Sequence, residues 1–257
     1  MLELYHWEPA GHSLRVLICL HEIGDGYRTH YVDALKFEQF SADFLKLNPS
    51  GQLPLLTSDG VAMAESVLLN EYLAESYPDA QLAPTDPVGW YNVQVWSKFI
   101  DYNLASSLGT LGCRKFLVPV LEAFDQAELK RKIASIPVPE RRAAWERAAA
   151  GDYDAELVAN AERKVKLVVE RMEAALAEGE WLVGGKYSIA DIDAFALING
   201  LEAAAPHIVN DRNAPRVIDW ASRIAARPAV REVLSSPGLK RRKDTVFLPG
   251  PEHSRWG

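Results

Sequence analysis

The chain has little cysteine and no long apolar run. Its 257 residues include two cysteines, Cys19 and Cys113, and no Cys-x-x-Cys motif. Two thiols are too few for a secreted disulfide scaffold, and without the motif dithiol exchange in its usual form is excluded. No stretch reaches eighteen uninterrupted apolar residues, so we expect no membrane span.

Positive charge is also in deficit, since 28 Lys and Arg face 35 Asp and Glu for a formal net charge of −7. Nucleic-acid phosphates attract basic surfaces, so we expect no nucleic-acid partner. The basic stretch Lys240–Lys243 is interpreted as a solvated tail. The chain opens directly on strand-like sequence, with no basic segment before an apolar run, which predicts a cytoplasmic location.

The stretch from Gly51 to Ser66 organises the rest of the chain. A Leu53-Pro54 step enters a short apolar strand, Asp59-Gly60 predicts a tight hairpin turn, and residues 61–63 form the return strand. An apolar helix follows at once. This order, with a proline step before a hairpin and a helix, is compact enough to hold a small peptide.

Two features of this stretch favour peptide binding. The residue before a proline is extended, so Leu53 can offer its N–H and C=O to a ligand strand. Ser66 is expected to be a helix N-cap, where free N–H groups bind a carboxylate, and Glu65 beside it can bind an ammonium. Each feature alone is also ordinary turn or capping chemistry.

Upstream elements complete the first unit, which we assign to residues 1–80. A strand at Leu2–Tyr5, a helix from Ser13 to about Ile23, a strand at Thr29–Val32 and an amphipathic segment at Lys36–Leu47 precede the hairpin. With the hairpin and its helix, the order is β-α-β-α-β-β-α. This predicts an α/β, thioredoxin-like domain.

The remainder predicts an all-α domain at residues 88–257, after a proline-containing linker at 81–87. Apolar residues recur at helical spacing from Val93 to Leu111, with one polar break at Asn103. Residues 113–153 are less regular and predict one or two irregular helices beside a loop.

Later helices are more regular. One is predicted at Asp154–Ala177, and another at Pro215–Ala226 has Trp220 and Ile224 facing inward. Ser188 and Asp191 form a capping box before a helix apolar enough to be the buried centre of this domain. We interpret that cap as structural.

These motifs together resemble the cytosolic glutathione transferases over nearly the whole chain. The resemblance is carried by the Ser13 helix start, Asn48-Pro-Ser-Gly-Gln-Leu-Pro54, Glu65-Ser66 and Ser188-Ile-Ala-Asp191.

Within that family the chain is most similar to the bacterial glutathione-dependent β-etherases of lignin breakdown, and closer to the β(S) enzyme than to its β(R) counterpart. This narrower likeness is carried by residues 32–39, Pro137–Glu140 with Trp145, and residues 187–192.

The resemblance implies a homodimer that binds glutathione as co-substrate, with no metal. Leu53 is expected to pair with the cysteinyl backbone, Pro54 to follow a cis peptide bond, and Glu65 and Ser66 to hold the γ-glutamyl group. The residues assigned to glutathione are Ser13, Gln39, Gln52, Leu53, Pro54, Glu65 and Ser66.

Glutathione reacts as its thiolate, which is the minor form of a thiol whose pKa is near ~8.5. A hydroxyl donor and a helix N-terminus both lower that pKa, and Ser13 offers the two together. Tyr5 and His12 are alternative donors, and Ser13 is equally a plain helix cap.

For the second substrate, the resemblance implies a small aromatic ether beside a ketone. The thiolate displaces a phenolate and leaves a glutathione thioether of inverted configuration. Trp7, Trp96, Asn103 and Trp145 are candidate pocket residues, and core packing explains each of them as well. The alternatives are a broad-specificity transferase, a dehalogenase, a peroxidase, or a non-catalytic glutathione-transferase-like binding or regulatory protein.

Overall fold

The structure is a computed structural model that describes residues 1–239, so the basic stretch Lys240–Lys243 lies outside the described residues. A four-stranded sheet has the order β2-β1-β3-β4. Its strands are β1 (Leu2–His6), β2 (Tyr27–Tyr31), β3 (Leu55–Ser58) and β4 (Val61–Met63). β1 pairs parallel with β2 and antiparallel with β3, and β3 pairs antiparallel with β4.

Helices account for most of the remaining described residues. They are α1 (Gly11–Ile23), α2 (Ala42–Leu47), α3 (Ser66–Ser76), α4 (Pro87–Ile100), α5 (Ser106–Gly112), α6 (Val118–Glu122), α7 (Gln126–Ala134), α8 (Pro139–Ala150), α9 (Ala155–Glu178), α10 (Ile189–Ile198), α11 (Leu201–Ala204), α12 (Pro215–Ala225) and α13 (Pro228–Ser235). In residues 1–239, no helix combines the length and the apolar character needed to cross a membrane.

The first 76 residues follow the predicted order β-α-β-α-β-β-α. Asp59 and Gly60 both have positive φ, 48° and 85°, as the tight turn between β3 and β4 requires. The Leu53–Pro54 peptide bond is cis, as predicted. The architecture is therefore a thioredoxin-like sheet unit followed by helices.

The side chains of β1 alternate between the two faces of the sheet. Leu2 and Leu4 are buried with α1 in the main core. Tyr5 points to the other face, where its ring stacks on His30 with centroids 4.4 Å apart and meets Phe44 edge-on. Tyr5 and α1 therefore lie on opposite faces.

Two predicted helix starts need correction. α1 begins at Gly11, because Ala10 is already the extended N-cap, and this puts Ser13 at the third helical position. Ser66 is the first residue of α3 and not its N-cap; that place is taken by Glu65, with φ 75° and ψ 95°. The Ser66 hydroxyl instead bonds to side chains of α1.

The segment 113–153 is more helical than predicted. Helical backbone continues from α4 to α6 through two π-helical turns, Asp101–Ala105 and Cys113–Leu117, and α7 and α8 follow. Pro119 lies just after the second π-helical turn, whereas Pro139 falls in the first turn of α8 after the extended N-cap Val138. A proline is tolerated at the start of α8 because its missing N–H would have no partner within the helix.

α10 lies at the centre of the helical part, as predicted, and all ten of its residues are buried. The Asp191 carboxylate accepts from the Ser188 backbone N–H at 3.1 Å and from the Trp220 indole at 2.8 Å. Burial raises the pKa of Asp191 to about 6, although these hydrogen bonds oppose the rise. The capping box is therefore structural.

Candidate active site

The candidate site lies where the N-termini of α1 and α3 meet. The Ser66 Oγ atom is 3.0 Å from His12 Nδ1 and 3.1 Å from Arg15 Nη1. The structure therefore brings Ser66 of the predicted peptide site beside the helix that carries Ser13. Two helix N-termini close together make the local potential positive.

Arg15 is the buried charge that connects this site to the helical part. Its side chain is fully buried, its Nη1 donates to Asp101 at 2.6 Å, and its Nε donates to the Asp193 carbonyl at 3.2 Å. A buried guanidinium needs a charged partner and hydrogen bonds, and Arg15 has them at Nη1 and Nε, although its Nη2 has no partner within residues 1–239. The sequence analysis missed Arg15, although an arginine inside an otherwise apolar helix is itself a sign of a buried partner.

His12 is held as a neutral imidazole. Burial, the Arg15 charge and the Arg141 charge lower the pKa of His12 well below its usual value. Arg15 Nη1 can only donate and lies 3.2 Å from His12 Nδ1, so we assign Nδ1 as an acceptor and place the ring proton on Nε2. Arg141 of α8, which is buried, thus brings a second positive charge near this site.

Ser13 is the third residue of α1, and 5% of its surface is exposed. Its Oγ accepts the Trp7 backbone N–H at 3.3 Å, so the hydroxyl proton can be donated elsewhere. The rival Tyr5 lies on the opposite sheet face from α1, packed on His30 and Phe44.

Gln39 is brought beside the cis-proline loop. Gly51 has φ 64°, and a Cβ there would lie 2.6 Å from the Phe40 ring and 3.2 Å from the Gln39 carbonyl oxygen. Gln39 itself is 1% exposed, and neither of its amide atoms has a hydrogen-bond partner in the described chain. Gln52 accepts from the Ser50 hydroxyl at 3.2 Å through Oε1.

Glu65 has a strained backbone. Its φ of 75° is unusual for a residue with a side chain. Such conformations persist only where the surroundings fix them, and they concentrate at ligand sites.

Trp7 and Trp145 belong to one apolar cluster although 138 positions separate them, while Trp96 lies in the other large core. Phe37, with φ 64°, packs against Trp145 with ring centroids 4.7 Å apart, and Leu53 borders the same cluster. We call Trp7, Phe37 and Trp145 the aromatic cluster. It adjoins the cis-proline loop through Leu53.

The other two predicted pocket residues have separate surroundings. Trp96 meets Phe99 edge-on and the Arg171 guanidinium lies 4.6 Å from the Trp96 ring centroid. Asn103 donates to the Phe99 carbonyl at 2.8 Å, one turn back in its own helix. Trp96 therefore lies in a different apolar core from Trp7 and Trp145.

A cavity of about 300 Å³ is lined by Leu35 and Leu129 of the apolar cluster that contains Trp7 and Trp145, and by no predicted site residue. Its lining comprises Asp33, Leu35, Lys36, Phe124, Asp125, Glu128, Leu129 and Lys132. Residues 1–239 hold no group of three or more His, Cys, Asp or Glu arranged to bind a metal ion.

Comparison with known proteins gives consistent matches over both parts. Models of the glutathione S-transferase N-terminal and C-terminal domains match residues 11–76 and 113–228. Protein LigF of Sphingobium sp. is 34% identical over 255 residues, covering 95% of this chain and 99% of that protein.

Solved structures match the same parts of the chain. The crystal structure of the β-etherase LigF from Sphingobium sp. strain SYK-6 has a TM-score of 0.85 at 35% identity, covering 90% of this chain and 98% of that one. A glutathione transferase from Burkholderia graminis with two glutathione molecules bound per subunit has a TM-score of 0.70 at 26% identity, with coverages of 92% and 88%. The chain therefore belongs to the glutathione S-transferase family.

Proposed function

We propose that this enzyme is a glutathione-dependent β-etherase that cleaves the aryl ether of lignin-derived α-keto aromatics and releases a phenol. The observation that carries the proposal is the 34% identity to LigF along nearly the full length of both proteins. An aromatic cluster beside the predicted peptide site supports it, because an aryl substrate suits aromatic walls.

Glutathione is the co-substrate, and we propose that it lies along the cis-proline loop. Leu53 pairs with the cysteinyl backbone, Glu65 holds the γ-glutamyl ammonium, and the N-terminus of α3 at Ser66 holds its carboxylate. Pro54 fixes the loop, and Gln39 and Gln52 bind the rest of the tripeptide. The unpartnered amide of buried Gln39 supports this role, since buried polar groups are normally hydrogen-bonded.

Ser13 is the group that we propose stabilises the thiolate. Its hydroxyl can donate to sulfur while Oγ accepts from the Trp7 backbone. The α1 N-terminus favours the anion at the same place. His12, with its proton assigned to Nε2, is the remaining alternative donor.

The proposed reaction is a displacement at the carbon next to the ketone. The sulfur lone pair forms the new S–C bond while the C–O bond breaks and its electron pair leaves on the phenolate oxygen. Positioning and charge stabilisation supply the catalysis. We propose that one enantiomer reacts, with inversion, and that it is the β(S) ether. Trp7 and Trp145 line this pocket in the proposal, with Trp96 and Asn103 as further candidates.

The first test is incubation of purified protein with glutathione and a racemic α-keto β-aryl ether, followed by chiral chromatography. We expect phenol release from half of the material, with only the β(S) enantiomer consumed. Consumption of the β(R) enantiomer would contradict the proposed hand. An absence of phenol release would contradict the β-etherase proposal and leave the family assignment intact.

We also propose a cytoplasmic homodimer with a domain boundary near residues 81–87. Apolar side chains exposed on β4, α3 and α4 support the dimer; they are Val61, Leu68, Val88 and Tyr91. Light scattering that gives a monomer mass in solution would contradict it.

A further inference from the structure

Trp7 places a polar N–H group inside an otherwise apolar cluster. The side chain is 7% exposed, and its Nε1 atom has no hydrogen-bond partner within residues 1–239. Buried donors in folded proteins are almost always paired, and each exception needs a reason. A ligand atom that accepts this hydrogen bond would be such a reason.

The backbone of Trp7 is bonded to the residue that we propose stabilises the thiolate. The Trp7 N–H donates to Ser13 Oγ at 3.3 Å, so the two residues are direct neighbours. The ring of Trp7 packs in the aromatic cluster, which Leu53 borders from the side of the cis-proline loop. Trp7 therefore connects the residue proposed to bind sulfur, through its backbone, with the aromatic side chains that suit an aryl ring, through its own ring.

We propose that the Trp7 indole N–H is a catalytic hydrogen-bond donor to the ether oxygen that leaves as phenolate. This inference rests on the proposed β-etherase function. As sulfur attacks carbon, the C–O electron pair moves to oxygen; Trp7 keeps its proton throughout, and the released phenolate takes its proton from water. A hydrogen bond to a charged oxygen is stronger than one to a neutral ether, so the donor favours the transition state.

The test compares the wild-type enzyme with Trp7→Phe on α-keto β-aryl ethers whose leaving phenols range from nitrophenol to methoxyphenol. We expect kcat to fall about tenfold or more for methoxyphenol and little for nitrophenol, because a poor leaving group develops more charge on oxygen. The plot of log kcat against the pKa of the leaving phenol should therefore become steeper. Trp90→Phe, which removes an indole from α4, is the matched control and should keep the wild-type slope.

A second variant separates the N–H from the shape of the ring. Replacement of Trp7 by benzothienylalanine exchanges N–H for sulfur in a ring of nearly the same size, and we expect the same steeper plot. If both variants keep the wild-type slope of log kcat against leaving-group pKa, or lose rate equally for every phenol, the proposed role of Trp7 is overturned. The β-etherase proposal would still stand. If wild-type protein releases no phenol from any ether, the proposed function fails, and this inference fails with it.

Discussion

Ser13 is the residue on which thiolate formation depends in the proposed mechanism. We expect Ser13→Ala to lower kcat/KM about 10- to 100-fold with a modest loss of glutathione affinity, since a hydrogen bond to a charged group contributes about 1.5–3 kcal/mol. The thiol pKa of bound glutathione, followed by the ultraviolet absorbance of the thiolate, should rise towards that of the free thiol.

Ser222→Ala, which removes an exposed hydroxyl from α12, serves as the control. If Ser13→Ala leaves both the rate and the thiol pKa unchanged, thiolate stabilisation passes to His12, whose Nε2 proton is the next candidate donor.

Glu65 is expected to determine the affinity for glutathione. Glu65→Ala should weaken glutathione binding by roughly 2–4 kcal/mol, because the γ-glutamyl ammonium loses its charged partner. Isothermal titration calorimetry measures this directly. Glu75→Ala on exposed surface of the same helix should bind glutathione normally. Wild-type affinity in Glu65→Ala would reject the assignment of Glu65 to the ammonium.

At the scale of elements, one ion pair ties the end of α1 to the start of α13. Arg227 donates to both Glu22 oxygens, at 2.6 and 2.8 Å, and its guanidinium lies 3.8 Å from the Tyr187 ring centroid. Glu22 is nearly buried and Arg227 is one-third exposed. This fixes the sheet unit against the last helices.

We expect a double-mutant cycle of Glu22→Gln and Arg227→Met to give a coupling of about 1–2 kcal/mol in urea unfolding, above exposed pairs and below fully buried ones. The exposed Asp43–Lys46 pair is the control and should show no measurable coupling. If the two substitutions change the free energy of unfolding additively, the bidentate pair makes no net contribution to stability.

For the whole molecule, His6 makes stability depend on pH. Burial, with a smaller effect of the His30 charge, lowers the pKa of His6 to about 4 from 6.5. The unfolded chain therefore binds the proton more readily between these values, and acidification through this window favours unfolding. When the pH is lowered from 7 to 5, His6 should reduce the free energy of unfolding by about 2 kcal/mol.

Urea unfolding of wild type and His6→Asn at both pH values measures this contribution. Burial raises the pKa values of Asp191 and Asp193 to about 6, and these groups change stability in the opposite sense over the same window. Both proteins contain them, so they cancel in the difference. Equal pH dependence in the two proteins would contradict the assignment to His6.

The sequence by itself determined the features that depend on neighbours along the chain. The Asp59-Gly60 turn, the Ser188–Asp191 cap and the thioredoxin-like order were predicted, because each follows from short-range conformational preference or periodicity. The cis Leu53–Pro54 bond was expected from the resemblance to the glutathione transferases. The family followed from the same motifs.

Tertiary structure decided which side chains meet. Arg15 finds Asp101 and the Asp193 carbonyl 86 and 178 positions away, and Trp7 is grouped with Trp145 instead of Trp96. It also decided that Ser66 bonds to α1 and does not cap α3. Local patterns cannot specify such contacts, because they depend on how distant helices pack around a shared core, and the charges buried there are stable only in that packing.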